Sequence, residues 1–150
     1  MPEEISMYKV IWSHIQASIV NGIFAVTQEI YEEQCYLLGN TGQCIRNNKE
    51  HLVLEVGQDG WDWENYLRIV EDMRTRHKSV ISEYNGNRKG TVGLNDISIV
   101  ALGKCLRLPV ISMESLSYQA SDTKIRIPRL CNLENVEHHT FNDFLIKEGF

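Results

Sequence analysis

Short, nearly continuous apolar runs alternate with segments of helical periodicity along this chain, and this alternation limits its fold more than any other feature. The runs Ile23–Val26, Leu52–Val56 and Leu108–Met113 are short and rich in residues that favour strands. Such runs are typical of strands buried on both faces, because the helices that connect parallel strands cover the sheet. The pattern therefore predicts an α/β fold, a three-layer sandwich with a short, mostly parallel sheet.

Apolar residues that recur every three or four positions predict five helices between these runs. They cover residues 6–21, 28–39, 62–84, 95–107 and 141–148. Thr27 and Thr140 are predicted N-caps, because a threonine hydroxyl accepts a hydrogen bond from the free amides of a first helical turn. Residues 40–50 are polar and predicted to be irregular, 125–128 to be a short extended segment, and 135–139 to be a fourth strand.

The composition is that of one globular domain over residues 1–150, with 43% hydrophobic and 23% charged residues, and it argues against disorder. The net charge of −5 excludes a uniformly basic nucleic-acid-binding surface but leaves room for a local basic stripe. The charge-free runs are too short and too polar to span a bilayer, and no secretory signal is recognisable. These features predict a cytoplasmic protein with no membrane partner.

The four cysteines, Cys35, Cys44, Cys105 and Cys131, are widely spaced and form no C-x-x-C pair. This usage favours free thiols in a reducing compartment over a disulfide framework. The pair His138-His139 lacks the spacing to cysteines that a zinc site needs.

Three carboxylates fall where an α/β sheet places chemistry, outside the carboxyl ends of its strands. Asp96 opens a predicted helix within Gly93–Lys104, and Glu114 directly follows the strand of Leu108–Met113. This passage resembles the second half of a PIN-domain nuclease. In that family a helix-opening Asp precedes a small-residue helix and then a strand that ends in Ser or Thr with an acid just after it.

The C-terminal part resembles the tail of one small bacterial PIN-like family of unknown function. The similar segments are Lys124–Cys131, Thr140–Leu145 and Glu148–Phe150, and members often carry the same Ile-Pro-x-x-Cys stretch. The opening, Tyr8 to Glu33, also resembles that family, so the resemblance covers most of the chain. Some members are encoded beside predicted antitoxins.

The resemblance implies a metal-dependent endoribonuclease that serves as the toxin of a bacterial toxin–antitoxin pair. It implies that Glu33, Asp96 and Glu114 bind Mg²⁺ or Mn²⁺, and that Ser112 is a hydrogen-bond partner next to these ligands. Carboxylate oxygens suit such cations, and the bound cation lowers the pKa of a water and stabilises charge on a phosphate. RNA and a cognate antitoxin are the implied partners.

The chain departs from the PIN pattern at its start. PIN nucleases begin with a strand that carries their first metal-binding Asp, whereas this sequence opens Met1-Pro2-Glu3-Glu4 and continues directly into a predicted helix. The missing strand is the central one of the family's sheet, and an unpaired strand edge is costly. Three expectations follow: a start site upstream of Met1, direct pairing of the flanking strands, or a homodimer that covers the edge.

Basic residues precede Asp96 in two groups. Arg74 and Lys78 lie on the predicted helix 62–84, and Arg88 and Lys89 lie in the glycine-rich loop that follows it. An RNA backbone would need cations at this position, so these four residues are candidate RNA contacts. A solvated helix face also explains Arg74 and Lys78.

Ordinary structural roles also account for the three acids. Asp96 fits a helix cap, Glu114 fits a solvated loop residue, and Glu33 fits an acidic face with Glu29 and Glu32. Two further interpretations of the chain therefore stay open. One is a non-catalytic PIN-like relic or interaction module that self-associates or binds an antitoxin, and the other is an unrelated small α/β binding protein.

Overall fold

The structure, a computed structural model, describes residues 6–114 and 125–150. The opening residues 1–5 and the polar loop expected at 115–123 lie outside the described residues. The described elements are α1 (Ser6–Val20), α2 (Gln28–Gln34), α3 (Gly39–Asn47), α4 (Lys49–Leu52), α5 (Trp63–Arg76), α6 (Leu94–Leu106), β1 (Val110–Ser112), α7 (Ile127–Leu133), β2 (His138–Thr140) and α8 (Phe141–Lys147). Two 3₁₀ turns, Lys78–Val80 and Ser82–Tyr84, follow α5.

The fold class is mixed α/β, as the alternating pattern predicted. Strands β1 and β2 pair in parallel, with Val110 opposite His138 and Ser112 opposite Thr140. The chain divides into two compact units, one that contains α1 to α4 together with Phe150, and one that spans Asp59–Gly149. None of the described helices combines the length and apolar content that crossing a bilayer requires.

Part of the core of the N-terminal unit comes from residues 40–50, which the sequence pattern predicted to be irregular. Residues 40–50 instead form nearly all of α3 and the first half of α4, because Cys44 and Ile45 face the core beside Leu52. Gly42 allows the turn before α3 to close, since a Cβ there would lie 1.7 Å from the carbonyl oxygen of Leu37. Packing therefore overrides the low helix propensity of this polar stretch.

The two strands predicted in this unit are shortened to a single parallel bridge between Val26 and Val53. Val26 donates to the carbonyl of Leu52 at 2.9 Å, and its own carbonyl accepts from the amide of Leu54 at 3.2 Å. The Thr27 hydroxyl accepts from the amide of Ile30 and begins α2 immediately after Val26, as predicted.

The C-terminal unit contains the best-predicted helix, α6, which supplies six buried residues to the core. The predicted helix 62–84 is shorter than expected, because the chain leaves helical geometry after Arg76. Ile81 is fully buried and bridges Val92, with Ser82 donating to the carbonyl of Val92 at 2.7 Å. This pairing turns the chain back toward the start of α6.

In the last part of the chain, the largest difference from prediction lies at residues 125–128. Residues 125–128 were expected to be extended, but α7 begins at Ile127 with Pro128 in its first turn. Proline is favoured there because the first helical amides have no partner within the helix. Strand β2 begins three residues later and ends one residue later than the strand expected at 135–139. Thr140 caps α8 as predicted, in a capping box with Asp143.

Candidate active-site cleft

A cleft of about 310 Å³ opens in the C-terminal unit at the start of α6 and the end of β1. Two carboxylates and two basic side chains share its wall. The lining residues are Lys89, Gly90, Thr91, Asp96, Glu114, Ile125 and Arg126. The structure therefore brings Asp96 and Glu114, two of the three carboxylates expected to bind metal, to one cleft with the expected RNA contact Lys89.

Asp96 is held at the cleft by its position in the first turn of α6. Its Oδ2 accepts a hydrogen bond from the amide of Gly93 at 3.0 Å, so it does act as a helix cap. The next free amide, that of Leu94, donates to Glu83 Oε2 at 2.8 Å. A carboxylate accepts up to about four hydrogen bonds, so capping leaves Asp96 able to contact a cation as well.

Glu114 is positioned by the end of β1 and the start of α7. Its Oε2 accepts from the amide of Ile127 at 2.9 Å, and its own amide donates to Ser112 Oγ at 3.2 Å. Ser112 Oγ also lies 2.8 Å from His138 Nε2 on the paired strand. Ser112 is thus a direct partner of Glu114, through the backbone amide. Sequence reasoning did not anticipate the role of His138.

Two loop segments form the basic side of the cleft, and a backbone hydrogen bond joins them. The amide of Ile125 donates to the carbonyl of Gly90 at 3.0 Å. Gly90 has a φ of +79°, a left-handed conformation that suits glycine and turns the chain after Lys89. Lys89 and Arg126 therefore lie on adjoining segments, and both side chains are exposed.

Four other candidate residues are not among those that line the cleft: Glu33, Arg74, Lys78 and Arg88. Glu33 is exposed on α2 of the N-terminal unit. Arg74 donates to the hydroxyl of Tyr84 at 2.9 Å, Arg88 donates to the carbonyl of Ser79 at 3.2 Å, and Lys78 is exposed in a 3₁₀ turn. Of the four basic candidates, only Lys89 lines the cleft.

The metal-binding capacity of the cleft depends on how many ligand side chains it brings together. Across residues 6–114 and 125–150, no three His, Cys, Asp or Glu side chains form a group that could hold a metal ion. The cleft offers the two carboxylates of Asp96 and Glu114. Mg²⁺ commonly binds through one or two carboxylates and keeps several waters. The cleft therefore offers the number of carboxylates through which Mg²⁺ commonly binds, and no third ligand joins them among the described residues.

A second cluster of charges, which sequence reasoning missed, surrounds Glu134 at the end of α7. Its side chain is 0% exposed, yet it contacts Arg76, His77 Nε2 at 2.6 Å and Lys104 Nζ at 3.0 Å. Hydrogen bonds from Arg76 lower the pKa of Glu134 far below its usual value, although burial acts in the opposite direction. Its partners are 30 to 58 positions away in sequence, so no local pattern indicates the cluster.

Comparisons with protein-family models, with curated proteins and with solved structures each find no match to this chain. The mixed α/β class and the cleft are therefore the two findings on which a function can be argued.

Proposed function

We propose that this chain is a PIN-like endoribonuclease that depends on Mg²⁺ or Mn²⁺ and acts in the cytoplasm as the toxin of a bacterial toxin–antitoxin pair. One observation carries the proposal. Asp96 and Glu114 share a cleft with Lys89, so that two candidate metal ligands and a candidate phosphate contact line the same space.

Asp96 and Glu114 would hold the cation through their carboxylate oxygens. When bound, a divalent cation supplies a water of lowered pKa and neutralises charge that develops on a scissile phosphate. Lys89 would contribute positive charge to the same phosphate. Ser112 supports the site by accepting the amide of Glu114, which fixes the backbone from which the Glu114 side chain extends.

Glu33 is a proposed third ligand of the cation only because of the resemblance to PIN-domain nucleases. It is exposed on α2, and the substitution Glu33→Gln tests it separately. Arg74, Lys78 and Arg88 are likewise proposed as contacts for RNA outside the cleft.

The experiment that tests the proposal is a calorimetric titration of the whole chain with Mn²⁺, followed by a cleavage assay on a short single-stranded RNA. Asp96→Asn and Glu114→Gln each remove one negative charge and keep an oxygen that can accept the amide of Gly93 or Ile127. We expect saturable binding in the wild-type chain. We expect each substitution to weaken it by about 10–100-fold, since even partners outside the ligand shell have effects of that size.

Asp59→Asn is the matched control, because Asp59 is exposed and does not line the cleft. This variant should bind Mn²⁺ and cleave RNA as the wild-type chain does. The proposal would be wrong if the wild-type chain showed no saturable binding, or if Asp96→Asn and Glu114→Gln bound Mn²⁺ and cleaved RNA unchanged.

A second candidate function, a non-catalytic interaction module, is favoured by a different observation. Three consecutive apolar residues between α2 and α3 are exposed: Tyr36 is 81%, Leu37 47% and Leu38 92% accessible. Exposed apolar clusters often mark protein interfaces, so the proposed partner is a second copy of this chain or an antitoxin.

Sedimentation of the wild-type chain and of the Leu38→Ser variant distinguishes the two partners. A wild-type dimer that the substitution dissociates supports self-association. A monomer in both cases leaves the antitoxin as the proposed partner.

A further inference from the structure

We infer that Arg126 and Lys89 bind one phosphate of a single-stranded RNA backbone at the basic side of the cleft. This inference rests on the proposed function and adds to it a substrate-binding residue, Arg126, that the sequence did not indicate. Both side chains are exposed and line the cleft, and neither forms a salt bridge with another described residue. Their charges are therefore available to a ligand.

The backbone on both sides of Arg126 is fixed. The amide of Ile125 donates to the carbonyl of Gly90, and the amide of Ile127 donates to Glu114 Oε2. The first bond joins the Arg126 segment to the Lys89 segment, and the second joins it to a candidate metal ligand. Arg126 is thus positioned with respect to both the basic and the acidic side of the cleft. These bonds fix the backbone from which the exposed Arg126 side chain extends, and a guanidinium at this place suits bidentate contact with a phosphate.

The charge balance of the cleft favours a phosphodiester over a neutral ligand. Lys89 and Arg126 carry two positive charges, which offset the two negative charges of Asp96 and Glu114. A divalent cation on the two carboxylates would leave a net charge of two positive units in the cleft. Because a phosphodiester carries one negative charge, a chain of phosphates would then be attracted to a protein whose overall charge is −5.

The test is fluorescence anisotropy with a labelled single-stranded RNA, measured in EDTA, which prevents cleavage, and again in Ca²⁺, which restores a divalent cation to the two carboxylates. Arg126→Gln and Lys89→Gln are compared with Arg129→Gln, which makes the same change at an exposed residue of α7 outside the cleft lining. We expect the first two substitutions to weaken binding about tenfold. Each should also reduce the slope of log affinity against log salt by about 0.7, the value for one lost contact to a single strand. Arg129→Gln should bind as the wild-type chain does.

A variant that keeps the charge separates recognition from loss of folding. Arg126→Lys should bind RNA with intermediate affinity, because a lysine keeps the positive charge but loses the bidentate geometry. Melting temperatures of all variants should agree, since the Arg126 side chain is exposed.

The outcomes distinguish this inference from the proposed function. RNA binding that depends on Arg126, without cleavage in Mn²⁺, supports the inference and contradicts the nuclease. Cleavage that depends on Asp96, with Arg126→Gln binding and cleaving as the wild-type chain does, overturns the inference and leaves the nuclease standing. A wild-type chain that does not bind RNA also overturns the inference.

Discussion

Arg76 binds both carboxylate oxygens of Glu134, with Nη1 at 2.7 Å from Oε2 and Nη2 at 2.8 Å from Oε1. The Glu134 side chain is completely buried, and Lys104 and His77 complete its contacts. Arg76 ends α5, Lys104 belongs to α6 and Glu134 follows α7. A single buried carboxylate therefore joins three helices of the C-terminal unit, the unit that contains the cleft.

We expect Glu134→Gln to destabilise the C-terminal unit by about 3 kcal/mol. Removal of one partner of a buried ion pair typically costs about 3–5 kcal/mol, because the remaining charge is left without compensation. The Arg76 and Lys104 side chains are 43% and 39% exposed and can turn partly toward water, so the lower end of that range applies. Urea unfolding followed by tryptophan fluorescence in a Trp12→Phe background, which leaves Trp61 and Trp63 as reporters, measures the change.

Glu137→Gln is the matched control for that substitution. Glu137 is 61% exposed and pairs with His139 and Lys147 at the surface. Exposed ion pairs contribute about 0–1 kcal/mol, so this variant should unfold close to the wild-type chain. An equal decrease in the free energy of unfolding in the two variants would show that the buried ion pairs of Glu134 stabilise the unit no more than the exposed pairs of Glu137.

The same carboxylate links stability to pH. The pKa of Glu134 lies far below the ordinary value of 4.5, because the hydrogen bonds from Arg76, His77 and Lys104 favour its charged form. Above pH 4.5 this contribution is fully present. As the pH falls below 4.5, the unfolded chain takes up a proton at this position before the folded chain does, so the free energy of unfolding decreases. Glu134→Gln should therefore show a flatter acid profile, and parallel profiles would contradict this assignment.

Close approach of α6 to the sheet supports a third prediction. A Cβ at Gly103 would lie 2.7 Å from Val110 Cγ2 and 3.3 Å from Val136 Cγ1. Both valines are buried, so neither can move freely. We expect Gly103→Ala to destabilise the C-terminal unit by about 1–3 kcal/mol, a typical effect of overpacking, as measured by urea unfolding.

Gly93→Ala provides the comparison for Gly103. A Cβ at Gly93 would meet its nearest neighbour, Glu83 Oε1, at 3.4 Å, and the φ of −80° suits alanine. This variant should lose less than about 1 kcal/mol, mostly from a poorer helix cap. A Gly93 variant as unstable as the Gly103 variant would contradict the packing argument.

Local signals in the sequence predicted the elements that local chemistry determines. Thr27 and Thr140 begin helices because their hydroxyls accept first-turn amides, and the small-residue periodicity after Asp96 gives α6 almost to its observed ends. The local positions of two cleft residues were predicted for the same reason, since Asp96 opens a helix and Glu114 follows a strand. Their meeting in one cleft depends on contacts between distant segments, such as the bond from the amide of Ile127 to Glu114 Oε2.

The features that sequence reasoning missed depend on contacts between distant segments. Helix α3 forms in a polar stretch because Cys44 and Ile45 pack into a core completed by Ile19 and Leu52. Arg126 reaches the cleft because the amide of its neighbour Ile125 donates to the carbonyl of Gly90, a residue too far away in the sequence for any periodicity to indicate the contact. The placement of Glu134 beside Arg76 has the same origin. Such contacts are set by tertiary packing, which a single sequence does not display.

A last prediction concerns His138, whose Nε2 lies 2.8 Å from Ser112 Oγ. Burial lowers the pKa of His138 below 6.5 and the neighbouring His139 adds to this effect, while Glu114 and Asp143 act in the opposite direction. Below pH 6.5 the unfolded chain therefore binds a proton at this position more readily than the folded chain. The free energy of unfolding should fall as the pH decreases through this range, and above pH 6.5 the position should contribute no slope.

His138→Gln removes this titration and keeps an amide that can donate to Ser112 Oγ in place of the imidazole. We expect the variant to lose less stability than the wild-type chain as the pH falls below 6.5, while the two remain similar above it. Urea unfolding over a pH series on both sides of 6.5 measures the difference. Profiles that stay parallel throughout would show that His138 titrates equally in the folded and unfolded chains, and would contradict a half-buried imidazole beside Ser112.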